Sequence, residues 1–132
     1  MLKSGDTFLL PKTSAAIEHL WVVLTDPDLD QLAVCVNITT SQGHSDTIVV
    51  LKPGDHSFIK KESVVHYPDA QLLNLKSVQA ALDAKAKSFV CTQHDPCSAK
   101  LLKRIRDGLL KSPHAPNGLK QRCRAIWQST RL

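Results

Sequence analysis

Arginine is absent from the first 103 residues of this 132-residue chain; all five arginines fall between Arg104 and Arg131. A guanidinium fork for bidentate phosphate recognition therefore cannot come from the N-terminal three quarters of the sequence. Aromatics are scarce too, with three Phe, two Trp and one Tyr, which argues against an extended stacking platform for nucleic-acid bases. No apolar run reaches 18 residues, so no transmembrane helix and no membrane partner are expected. Met1-Leu2-Lys3-Ser4-Gly5-Asp6 lacks an apolar signal core, and a cytoplasmic location is expected. The four cysteines are irregularly spaced and read as free thiols of a reducing compartment rather than as a disulfide framework. There is no glycine-rich phosphate loop, no Ser-His-Asp or Cys-His order that stands out, no internal repeat and no low-complexity segment. No cofactor is implied.

Charge is divided along the chain. Residues 1–70 carry five lysines against nine acids, a net of −4, and residues 71–132 carry twelve basic residues against three aspartates, a net of +9. A basic C-terminal part is what nucleic-acid contact requires. The other reading is a basic helical face that is merely solvated or docks on the acidic half, and charge alone leaves both open.

The central stretch runs from His19 to Thr40. His19 to Thr25 is almost continuously apolar, as in a strand covered on both faces or closed tightly in a barrel. Asp26-Pro27-Asp28-Leu29-Asp30 is a turn. Beyond it, Leu32, Val34, Val36 and Ile38 alternate with Ala33, Cys35, Asn37 and Thr39, the pattern of a second strand in a hairpin. Further strands are expected at Gly5–Leu10, Thr47–Leu51, Ser63–Tyr67 and Ala70–Asn74, with His56–Lys61 short and extended. Strands this short, separated by turn residues, indicate a barrel or sandwich.

Near residue 75 the apolar period changes from two to about three and a half. Leu75, Val78, Leu82 and Ala86 mark one amphipathic helix. Asp95-Pro96 has the chemistry of an N-cap and first helical residue, ahead of a helix lined by Leu101, Leu102, Ile105 and Leu109. Leu119, Cys123 and Ile126 mark a third. Helices are expected over 98–110 and 117–128. The expected organisation is an antiparallel β-barrel domain with a short helix over 1–88, then a basic helical extension over 89–132.

This order of motifs resembles the PemK/MazF family of toxin ribonucleases. The residues that carry the resemblance are Gly5-Asp6-Thr7-Phe8, the apolar strand Leu20–Thr25, the strand end Asn37-Ile38-Thr39-Thr40-Ser41, and Ser63-Val64-Val65 followed by the helix Leu75–Ala86. Together they span roughly residues 5 to 86. The resemblance implies a mainly β SH3-like barrel followed by helices. It also implies a metal-independent endoribonuclease of a toxin-antitoxin system, acting on single-stranded RNA, with an antitoxin protein as partner and a homodimer as a possible assembly. The family places a basic residue, usually Arg, just before the first apolar strand, working with the Thr that ends the next. Here Glu18-His19 stands in that place. An imidazole can act as acid or base but supplies no permanent phosphate fork. The alternative is a barrel that binds nucleic acid or a partner protein without cutting.

The catalytic candidates are accordingly His19, Thr39 and Thr40, with His56 added by the sequence Pro53-Gly54-Asp55-His56, which is either a turn or an Asp–His proton relay. Thr39, Thr40 and Ser41 could also bind phosphate oxygens, or be ordinary strand-end caps. Candidate nucleic-acid contacts are Lys60, Lys61, Lys103, Arg104, Arg106 and Arg124. Cys91, His94 and Cys97, with Cys123, have zinc-ligand chemistry, but the spacing is not that of a finger, and free buried thiols are the reading adopted.

Overall fold

The computed structural model describes residues 1–11, 18–40, 47–84 and 92–129. The strand-end hydroxyl of Ser41, the expected last turn of the first helix and Cys91 lie outside the described residues. Six strands and three helices follow in order: β1 (Thr7–Pro11), β2 (Glu18–Val23), β3 (Leu32–Thr40), β4 (Val50–Leu51), β5 (Ser63–Asn74), α1 (Leu75–Ala84), β6 (Thr92–His94), α2 (Ala99–Lys111) and α3 (Asn117–Ser129). The strands form one sheet in the order β4-β5-β3-β2-β1-β6, with every neighbouring pair antiparallel. The chain is thus mainly antiparallel β with C-terminal helices.

Both faces of the sheet are covered, which explains the unbroken apolar run of β2. Leu20, Val22 and Leu24 join Leu101, Ile105 and Leu109 of α2 and Cys123 of α3 in one core. Trp21 and Val23 turn the other way, into a second cluster with Leu75 and Val78 of α1. β3 divides likewise, Val34, Val36 and Ile38 to the first core and Ala33 and Cys35 to the second. Residues on both sides of the expected boundary at 88 therefore share one core.

Asp28 builds the turn between β2 and β3, its Oδ1 accepting from the N–H groups of Asp30 at 2.8 Å and Leu32 at 2.9 Å. The bond from the Leu32 N–H, followed by that from Asp30 and the Arg122 guanidinium, holds the Asp28 carboxyl below the ordinary carboxylate range. That contribution to stability is present above the ordinary carboxylate pKa and is lost as pH falls through the lowered one. Gln31 closes the turn at φ 67°, a left-handed conformation that costs a side chain with a Cβ. Gln31→Gly is expected to stabilise the fold by about 0.5–1 kcal/mol, since the strain relieved exceeds the added freedom of the unfolded chain. A urea midpoint that fails to rise would contradict this.

Several expectations are revised. Ser63–Tyr67 and Ala70–Asn74 are one twelve-residue strand; the pairing with β3 steps between Asn37↔His66 and Cys35↔Gln71, and Pro68 falls in that step, where no regular ladder needs its N–H. His56–Lys61 is a turn-rich segment, not an extended one. Thr92–His94, to which the sequence assigned no element, pairs with β1. The cap of α2 is Ser98, whose Oγ accepts from the Leu101 N–H at 3.1 Å, and not Asp95. Asp95 has other work. Its carbonyl accepts from His56 Nε2 and from the Thr7 hydroxyl, each at 2.6 Å, and its carboxylate accepts from the Ser57 hydroxyl at 2.7 Å. The segment after β4 thereby meets the segment after β6. Among the described residues the sheet is curled with its two edges joined by side chains, where the sequence suggested a closed barrel.

Three arginines bind the helices to the strands. Arg106 donates from Nε to the Leu24 carbonyl at 3.1 Å and from its guanidinium to Ser4 Oγ, and it lies 5.2 Å over the Trp127 ring. Arg104 donates to the Val50 carbonyl at 2.9 Å and faces Asp55 at 3.7 Å. Arg122 pairs with Asp28. Among the described residues no helix is long and apolar enough to cross a membrane.

Candidate functional site

Antiparallel pairing of β2 with β3 carries the start of one strand to the end of the other. The last ladder pair is Leu20↔Ile38, so His19 and Thr39 stand just beyond it. β5 completes the arrangement, pairing Val64 with Thr39 and Ser63 with Thr40. The segment leading into β5 arches over these ends. The result is a groove of about 470 Å³ whose polar lining residues are His19, Thr39, Thr40, Lys60, Lys61 and Ser63. Leu20, Ile38, Phe58 and Ile59 form its apolar wall.

The lining combines hydroxyl, imidazole and lysine side chains. Thr40, Lys60 and Lys61 are exposed, while His19 and Thr39 are half-buried. Ser63 Oγ donates to the Lys61 carbonyl at 2.9 Å, which fixes the lysine-bearing turn against the strand. His19 Nδ1 lies 3.4 Å from the Ile38 carbonyl oxygen. A proton on Nδ1 would be donated there, leaving the Nε2 lone pair available. Among the described residues no acidic residue lines the groove beside Lys60 and Lys61.

Five of the candidate residues thus converge: His19, Thr39, Thr40, Lys60 and Lys61. His56 does not join them. It is buried, it accepts from the Phe58 N–H through Nδ1 at 3.0 Å, and it donates through Nε2 to the Asp95 carbonyl. Both ring nitrogens are engaged in holding the turn. Asp55, its supposed relay partner, instead accepts from the Lys52 N–H at 2.8 Å and faces Arg104. The remaining candidates lie on the helices. Arg104 and Arg106 are committed to the strands as described, Lys103 pairs with Asp107 at 2.9 Å along α2, and Arg124 is exposed on α3.

The described cysteines, Cys35, Cys97 and Cys123, do not line the groove. Burial pushes the Cys97 thiol up to about 11, and the Cys123 thiol likewise to about 11 against the opposing pull of Arg122 and Arg106. Burial raises Cys35 further. These thiols stay protonated near neutrality and are poor metal ligands or nucleophiles in that form. Among the described residues no group of three or more His, Cys, Asp or Glu is placed to hold a metal ion.

Phe58, Ile59 and Ser63 were not among the candidate site residues read from the sequence. The only signal was proximity to Lys60-Lys61 after a turn, which does not say which way a side chain faces. No known protein family and no curated protein matches the chain.

Proposed function

We propose that the groove binds single-stranded RNA and cleaves it without a metal, in an SH3-like barrel of the PemK/MazF toxin type whose cognate partner is an antitoxin protein in the cytoplasm. The observation that carries this reading is the convergence of His19, Thr39, Thr40, Lys60 and Lys61 on one groove. His19 Nε2 takes the proton of the ribose 2′-hydroxyl as its oxygen attacks the adjacent phosphorus. The bond from phosphorus to the 5′-oxygen breaks, and that oxygen takes a proton from water or from a lysine ammonium. The ends are a 2′,3′-cyclic phosphate and a 5′-hydroxyl. Lys60 and Lys61 supply, as point charges, the cationic stabilisation that a family arginine would give as a fork, and the threonine hydroxyls donate to the phosphate oxygens.

One observation favours a second reading, in which the groove binds RNA without cutting it. His19 is the one imidazole lining the groove among the described residues, because His56 is tied to Asp95. A second proton-transfer group must then be a lysine or solvent. Cleavage products from the purified protein support the first reading, and binding without products supports the second.

Both readings place phosphate contacts on the same lysines. Affinity for single-stranded RNA is expected to fall with salt, and replacing Lys60 and Lys61 together by Ala to lower the log–log slope by about 1.4. Replacing Lys103 and Arg124 is expected to change it less. A slope unchanged by the Lys60/Lys61 pair would move the contact surface elsewhere.

A further inference from the structure

Few aromatic residues leave few places for a base to stack, and most of those in this chain are occupied. Phe8, Trp21 and Tyr67 are buried in the cores, and Trp127 lies beneath Arg106. Among the described aromatics Phe58 alone lines the groove. We propose that Phe58 is the stacking platform for one unpaired nucleobase, held against the apolar wall made with Leu20 and Ile38, while Lys60 and Lys61 take the adjoining phosphates. The inference rests on the groove being an RNA site and adds to it a base subsite.

The backbone that carries the ring is held before any ligand arrives. The Phe58 N–H donates to His56 Nδ1 at 3.0 Å, and His56 Nε2 in turn donates to the Asp95 carbonyl at 2.6 Å. The His94 ring meets Phe58 at 5.2 Å with the planes 72° apart. The ring also packs against the larger core, but it is only half-buried and lines the groove, so part of it is left to meet a base. This gives His56 and His94 positioning roles. The lysines follow two and three residues later, within a span of at most ~10 Å of chain, so base and phosphate are presented by one short turn. Stacking on a single aromatic is tolerant of base identity because every base has a π face. The subsite therefore selects for an unpaired base as such, not for one letter.

The test is fluorescence anisotropy with a labelled, uncleavable 2′-O-methyl single strand and with the same strand lacking bases. The parent is expected to bind the base-bearing strand more tightly. Phe58→Leu should weaken that strand roughly five- to a hundredfold and leave the abasic strand at its parent affinity. Phe58→Trp should retain parent affinity for the base-bearing strand. Lys60→Ala with Lys61→Ala should weaken both strands. If the parent does not distinguish the strands, or Phe58→Leu binds the base-bearing strand as the parent does, the base subsite is overturned while RNA binding stands. If Phe58→Leu and Phe58→Trp both lose both strands, Phe58 serves packing only and the subsite is again overturned. If the parent binds neither strand, the RNA reading and the subsite fall together.

Discussion

Replacing His19 by alanine is expected to slow RNA cleavage by about a hundredfold or more, the usual scale for a positioned acid or base. The same variant should bind RNA within a few-fold of the parent, because Lys60 and Lys61 remain in the groove. The expectation follows from where the ring sits. Its Nδ1 is turned toward the Ile38 carbonyl, which leaves Nε2 as the acceptor for a 2′-hydroxyl proton. If the proposed PemK/MazF likeness holds, His19→Arg should recover part of the rate, since a basic residue, usually Arg, stands at that place in that family. Rates on a labelled RNA, beside binding curves, check both variants against the parent. His19→Ala cutting as fast as the parent would remove His19 from the reaction.

Gly108→Ala is expected to destabilise the fold by about 2 kcal/mol or more, against the ~1 kcal/mol that helix propensity alone would add. A Cβ there would lie 2.2 Å from Tyr67 Oη and 2.5 Å from Val49 Cγ2. Tyr67 is fully buried and cannot swing into solvent. Its hydroxyl also donates to the Ile105 carbonyl at 2.8 Å, a bond that a displaced ring would break at a cost of about 1–3 kcal/mol. The glycine thus sets how closely α2 approaches β5, and α2 is the floor of the larger core. Tyr67→Phe placed together with Gly108→Ala removes the nearest clashing atom and should recover part of the loss. Urea unfolding of the two single variants and the double variant measures this. A stabilised Gly108→Ala would mean that propensity outweighs packing at this position.

Legibility in the sequence followed the range of the physics involved. The β2–β3 hairpin was readable because its alternation and its Asp-rich turn are local, and α2 and α3 because their apolar stripes are. The convergence of His19 with Thr39 and Thr40 was readable for the same reason, since antiparallel pairing alone puts those ends together. β6 was not. Thr92-Gln93-His94 has no apolar alternation and is a strand only because β1 offers it an edge. Asp95 has the chemistry of a cap, yet the curled sheet takes it for His56, Ser57 and Thr7. That same long-range contact takes His56 from the candidate site and turns it into a support for Phe58. The basic tail illustrates a similar limit. Charge counts could not separate a nucleic-acid surface from helices docked on an acidic half, and the partners of Arg104, Arg106 and Arg122 favour docking for those three.

The most direct test of the central claim is to incubate the purified protein and its His19→Ala variant with a single-stranded RNA, without added metal and with chelator present, and to identify the new ends. Fragments ending in a 2′,3′-cyclic phosphate and beginning with a 5′-hydroxyl, from the parent and far more slowly from His19→Ala, are the expected result. Intact RNA with the parent, or equal cutting by both proteins, would contradict it.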